Sequence, residues 1–154
     1  MDDFQIARVV HVIAVLFWIG GVGFVTLVLI PALRRDYPPA ERLAAFHALE
    51  KRFAPQARLW VGLAGASGLW MVYRGDLWRR FADAAYWWML AMVAVWAMFA
   101  FLLFVAEPLV LHRRMARSQT QAVDFDRLER AHQLLLTLAV VALVGAVGGS
   151  HGLF

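Results

Sequence analysis

Long stretches without a charged residue dominate the hydropathy pattern of this chain. The four longest are Val9–Leu33, Leu59–Tyr73, Ala84–Ala106 and Gln133–Phe154. Crossing about 30 Å of hydrocarbon takes roughly 20 helical residues, and three of these runs reach that length. The second run has only 15 residues, but the arginines that flank it can extend their side chains to the headgroups. The pattern predicts four membrane-spanning helices, at about residues 5–33, 56–74, 84–112 and 130–151.

The linker between the first two predicted spans has a different periodicity. Its apolar residues recur three or four positions apart among charged ones, at Leu43, Phe46, Leu49 and Phe53. This spacing places them on one face of a helix. We therefore predict an amphipathic helix that either lies on the inner membrane surface or extends the second span. The fold class predicted for residues 1–154 is all-α, a single-domain integral membrane four-helix bundle.

The composition agrees with a membrane protein. Hydrophobic residues make up 62% of the chain and charged residues 17%, whereas soluble domains average roughly 45–50% and 25%. The absence of cysteine excludes disulfides, iron–sulfur clusters and thiolate metal sites. The net charge of +4 comes from basic residues at the ends of the apolar runs, so it indicates topology and not a nucleic-acid partner.

Lysine and arginine collect on the cytoplasmic side of membrane proteins. Eleven of the fifteen basic residues lie in the linkers after the first and third predicted spans. The other four are Arg8, Arg74, Arg79 and Arg80. The distribution predicts a multi-pass protein of the inner membrane with both termini on the periplasmic side.

The candidate functional residues are the five histidines, His11, His47, His112, His132 and His151. An ionisable residue inside a membrane span is expensive and so suggests a function. Counted from the inner arginines by helical rise, His11 and His151 lie at about 35 Å and about 32 Å, near the outer surface. His112 and His132 share an inner level. His47 could join them if the linker folds back under the bundle.

Neutral imidazole ligates haem iron, and histidines from two facing helices can hold a haem from both sides. We predict an outer haem b bound by His11 and His151. An inner haem would be bound by His112 and His132, with His47 as a substitute. One or two haems would carry electrons across or within the membrane, with a redox protein or a quinone as partner.

Glu107, beside Pro108 at the inner edge of the third span, has two interpretations. It is either a proton carrier or a carboxylate paired with an arginine at the interface.

Two other classes of function remain open. The same four span histidines, His11, His151, His112 and His132, could bind copper or another transition metal in a transport protein. A non-catalytic assembly subunit could dock a partner, or a second copy of itself, through its glycine faces.

Glycines occur in three of the predicted spans, and two interpretations apply to them. They permit close helix packing, or they make room for a flat cofactor near the outer histidines. Gly20, Gly21, Gly148 and Gly149 are the candidates for such a slot.

The segment His11-Val-Ile-Ala-Val-Leu-Phe-Trp18-Ile-Gly20-Gly21 resembles the first helix of small copper-resistance-D-like membrane proteins. It is also similar to the haem-binding membrane protoporphyrinogen oxidase family, where a histidine precedes an aromatic–glycine step. Residues 107–113 and 149–152 resemble uncharacterised four-helix proteins that carry the copper-resistance-D name. In the oxidase family this histidine binds haem, which by resemblance implies His11.

The resemblance to the oxidase family does not extend to its activity. That family relies on a lysine in a later span, whereas the only lysine here is Lys51, in a linker. A haem-dependent oxidoreductase therefore stays open as an interpretation, with no substrate indicated.

Overall fold

The computed structural model describes residues 2–106 and 121–153, with the side chains of the second range from residue 124 onwards. Within these ranges, 91% of residues are helical and there is no strand, which confirms the all-α class. The helices are α1 (Asp3–Phe24), α2 (Ile30–Asp36), α3 (Arg42–Arg74), α4 (Trp87–Phe101) and α5 (Gln121–Ser150). Two short 3₁₀ segments, Leu77–Ala82 and Ala84–Tyr86, connect α3 to α4.

Three helical stretches are long and apolar enough to cross a membrane. They are Asp3–Asp36, Ala84–Ala106 and Asp124–Ser150. These stretches confirm the prediction of a multi-pass helical protein. α3 contains the predicted second span but is not among the three, because its uncharged run has only 15 residues and Arg58 and Arg74 flank it.

A π-helical turn, Val25–Leu29, joins α1 to α2 without breaking the helix. It ends two residues before Pro31. Proline lacks an N–H and crowds the carbonyl four residues before it, so a wider turn relieves both problems. Thr26 Oγ1 donates to the Val22 carbonyl at 2.8 Å inside this turn.

A second π-helical turn, Leu102–Ala106, follows α4. It also ends two residues before a proline, although Pro108 itself lies outside the described residues. Arg58 on α3 donates from Nε to the Leu103 carbonyl at 3.1 Å. The arginine that flanks the second predicted span therefore ties α3 to this turn.

α3 runs antiparallel to α1 along most of its length. The pairing is visible at three depths, where Asp3 contacts Arg74, His11 contacts Ser67, and Phe17 stacks on Trp60 at 4.6 Å. One buried cluster fills this part of the bundle and comprises Ala14, Trp18, Val61, Ala64, Phe99 and Ala139.

A second buried cluster, the inner core, lies towards the basic linkers. It comprises Val25, Ile30, Leu33, Phe46 and Phe125. The amphipathic linker helix forms the N-terminal half of α3, so the alternative that it extends the second predicted span is confirmed. Phe46 is 2% exposed, as predicted for the apolar face, whereas Leu49, which the spacing places on the same face, is 42% exposed because it does not join the inner core.

An ion-pair cluster holds α2 against α5 beside the inner core. Arg34 Nη2 lies 2.6 Å from Asp126 Oδ1 and also contacts Glu129. The Arg34 guanidinium lies 5.7 Å from the centre of the Phe125 ring. Because Arg34 and Asp126 are both about half exposed, the cluster orients the helices more than it stabilises them.

Five glycines within the long helices each contact a ring from a neighbouring segment. Added Cβ atoms would meet rings in the pairs Gly21–Phe53, Gly65–Trp96, Gly68–His11, Gly145–Trp87 and Gly149–Trp88. These positions support the interpretation of glycine as a packing residue. Gly20 and Gly62 differ, since nothing lies within 4 Å of a Cβ added there.

The contrast between Gly65 and Gly62, one turn apart on α3, gives a matched prediction. A Cβ at position 65 would overlap the Trp96 indole, which Nε1 anchors to the Val61 carbonyl at 2.9 Å. Gly65→Ala should therefore lower the free energy of unfolding by about 1–3 kcal/mol. Gly62→Ala should leave it nearly unchanged. Unfolding by denaturing detergent in mixed micelles measures both, and equal effects would contradict the packing role.

Candidate functional site

His11 is fixed to α3 through a single ring nitrogen. Nδ1 lies 2.9 Å from the Ala64 carbonyl and 3.2 Å from Ser67 Oγ. A carbonyl can only accept, so Nδ1 carries the proton and donates. The Ser67 hydroxyl donates its own proton to the Leu63 carbonyl at 2.5 Å, which leaves its oxygen free to accept from His11. The neutral imidazole therefore presents the lone pair of Nε2.

Small residues on α3 allow the His11 ring to approach this helix closely. A Cβ at Gly68 would lie 3.1 Å from His11 Cε1, a tight contact, so glycine at this position lets the ring approach the helix closely. Ala64 and Ser67 are buried beneath the ring. The small-residue face of the second predicted span thus serves as a seat for the imidazole.

The other described histidines share the same hydrogen-bond pattern. His132 Nδ1 lies 3.0 Å from the Leu128 carbonyl, and His151 Nδ1 lies 2.8 Å from the Val147 carbonyl. His47 Nδ1 lies 2.9 Å from Glu50 Oε2. Since each partner accepts, Nδ1 of all four rings carries a proton, and in the neutral ring Nε2 is then the nitrogen without hydrogen. This is the arrangement that orients metal-ligating histidines, whose other nitrogen donates to a carbonyl or carboxylate.

The structure brings two histidines to the inner core. The Phe46 ring contacts both His47 and His132, with ring centres 5.9 Å and 5.5 Å away. The linker continues α3 and does not fold back under the bundle, but the Phe46 ring still brings His47 and His132 to the same part of the inner core. His112 and Glu107, the remaining inner candidates, lie outside the described residues.

The outer pair has two different environments. His11 is half-buried, and its polar contacts within the described chain are all to α3. His151 is exposed directly after the end of α5, where Ser150 and Val147 are its polar partners. No contact between the two rings occurs in the described part of the molecule.

Protein rings cover two of the four glycines of the predicted slot, Gly21 and Gly149. The Trp88 indole covers Gly149, and the Phe53 ring would lie 2.5 Å from a Cβ at Gly21. Gly21 also lies ten residues beyond His11, about 15 Å along the helix. A cofactor at His11 would therefore need space elsewhere, because neither Gly149 nor Gly21 provides it.

The donor set distinguishes a haem from a bare metal ion. No group of three or more His, Asp or Glu side chains converges to hold a metal within residues 2–106 and 121–153. Protein sites for zinc and copper generally need three or four protein ligands, whereas haem iron needs one or two. Each described histidine could therefore serve as a single haem ligand, but these residues do not converge into a three-ligand metal site.

The sequence did not predict that Ser67 and Ala64 are the hydrogen-bond partners that fix the tautomer of His11. Ser67 is the only serine of its apolar run, and this was the available signal. It also missed two buried indole N–H groups, of Trp18 and Trp88, which have no hydrogen-bond partner in the described structure. Trp18 follows His11 by seven residues, so the two lie on one face of α1.

Comparisons with protein-family models, curated proteins and solved structures find no match to this chain. The proposed function below therefore depends on the residues and their geometry.

Proposed function

We propose that this protein is a membrane b-type haem protein that carries electrons across or within the membrane. The observation that carries the proposal is the fixed tautomer of His11. Placing an imidazole in a membrane helix costs free energy, and its Nδ1–H bond to Ala64 recovers only part of that. The free Nε2 is the atom that binds haem iron, and the carbonyl bond makes it a stronger ligand. Bound haem supplies a site that accepts and releases one electron.

The remaining ligands follow from the depth of the histidines. His151 is proposed as the second outer ligand. For an inner haem we propose His132 with His112, or with His47, since His47 and His132 share the Phe46 ring. The absorbance spectrum of protein purified in mild detergent tests the cofactor. We expect a Soret band and, in the pyridine haemochrome assay, one or two haems b per chain.

Absence of haem after expression with ample haem supply would contradict the proposal. Stoichiometric copper in the same preparation would favour the metal-transport alternative. A protein with neither group would favour the assembly-subunit alternative.

We further propose that α3 is the fourth span and that both termini face the periplasm of an inner membrane. Support comes from the pairing of α1 and α3 along their length, and from the basic residues on the α2–α3 side. The chain has no native cysteine, so single cysteines report topology directly. In intact cells an impermeant thiol reagent should label Asp2→Cys and not Ala40→Cys; the reverse result would invert the topology.

A further inference from the structure

A groove of about 360 Å³ opens between α1 and α3 in the outer half of the bundle. Six of its eight lining residues are apolar; small side chains at Ala7 and Ala66 leave the space, and Trp70 contributes an aromatic surface. The volume lies within the range of about 300–1,000 Å³ typical of small-molecule sites. The groove is open on one side, where the helix faces present apolar residues to lipid.

The two polar residues of the groove are Ser67 and Asp3. Ser67 is 7% exposed, and its oxygen accepts the Nδ1–H of His11. A hydroxyl oxygen has two lone pairs, so Ser67 can accept a second hydrogen bond from a ligand. Asp3 lies in the first turn of α1, where its carboxylate pairs with Arg74 at 2.7 Å. The groove thus joins the His11 site to the outer edge of the bundle.

We propose that this groove binds the ring of an isoprenoid quinone, with preference for the reduced quinol form. The inference rests on the proposed haem function, since a membrane electron carrier needs a lipid-soluble partner close to its redox group. A quinol hydroxyl donates to Ser67 Oγ, the ring packs on Trp70, and the isoprenoid tail leaves through the open side. A ligand held in this way lies one hydrogen bond from the His11 ring.

A lipid acyl chain could also occupy this apolar groove, but it has no polar atom that could form a hydrogen bond with Ser67 or Asp3. A quinol carries a hydroxyl at each end of its ring. Ser67 offers only an acceptor, because its proton already goes to the Leu63 carbonyl. The oxidised quinone carries carbonyls and cannot donate to it. This difference predicts the preference for the reduced form.

Photolabelling with an azido-substituted decyl benzoquinol, followed by mass spectrometry of the peptides, tests the site in the full-length protein. We expect label within residues 63–70, and competition by unlabelled decyl benzoquinol. Ala66→Trp fills the groove and should reduce labelling at least ten-fold. Leu16→Trp, a lipid-facing control at a position 66% exposed, should leave it unchanged. Ser67→Ala should weaken competition by quinol several-fold and competition by quinone very little.

Several results would overturn the inference. They are equal labelling of Ala66→Trp and the parent protein, label spread over all lipid-facing helices, or competition by phospholipid as effective as that by quinol. Equal loss of quinol and quinone competition in Ser67→Ala would overturn the preference for the reduced form. Labelling needs no haem, so a protein without haem that is still labelled in the groove would refute the proposed function and leave this site standing.

Discussion

The His11→Ala variant is expected to lose the outer haem completely while it still inserts and folds. In the proposed site His11 would supply Nε2 as the iron ligand, and its Nδ1 contacts with Ala64 and Ser67 are hydrogen bonds on the half-buried α1–α3 face. Removing the ring deletes the iron ligand, and no other described histidine contacts this seat on α3. In the pyridine haemochrome assay we expect one haem fewer per chain than in the parent protein.

Three further variants separate loss of the ligand from loss of the fold. His11→Gly should regain the haem spectrum when imidazole is added, because Gly68 and Ala64 leave room for the ring. Ser67→Ala removes one of two acceptors of Nδ1–H and should weaken haem retention by up to about ten-fold, the lower end of the effect expected when a metal-ligating histidine loses a hydrogen-bond partner. His47→Ala, at the other end of the bundle, should keep the outer haem. Full haem content in His11→Ala would refute the ligand assignment.

Phe46→Ala is expected to give the largest loss of stability of any substitution considered. The side chain is 2% exposed in the inner core, where it packs with Ile30, Leu33 and Phe125. Truncating a buried phenylalanine costs about 3–5 kcal/mol, from lost burial and the cavity left behind. The same change removes the ring that both His47 and His132 contact, so the spectrum of an inner haem should also change.

Leu49→Ala is the matched control for Phe46→Ala. It lies one turn further along α3, at 42% exposure, and should cost no more than about 0.5 kcal/mol. Detergent-induced unfolding of both variants provides the measurement. If Phe46→Ala and Leu49→Ala lowered the free energy of unfolding equally, packing in the inner core could not be what holds the N-terminal half of α3 against α2 and α5.

Part of the candidate site followed from one-dimensional patterns. The depth of His11 depends only on helical rise and the distance to charged residues. The amphipathic spacing likewise predicted that Phe46 is buried, but it was wrong for Leu49, which it placed on the same face. The choice between a surface helix and an extension of the second predicted span stayed open, because both place the same face inward.

Other features of the candidate site depend on which faces of neighbouring helices pack against each other. Ala64 lies 53 positions from His11, and no local pattern reports the rotation of one helix about its axis relative to another. The roles of the glycines were undecided for the same reason. Gly65 and Gly62 have similar neighbours in sequence, yet one receives the Trp96 ring and the other nothing.

By itself, the sequence determined an all-α chain with several apolar helices and an amphipathic linker, because hydropathy and helical rise act along one helix. The tertiary structure decided that α3 seats the His11 ring, that Nδ1 and not Nε2 is bonded, and that Phe46 connects His47 to His132. Those features require side chains of separate helices to meet at the same depth and on facing surfaces. Only tertiary packing determines which helix surfaces face each other.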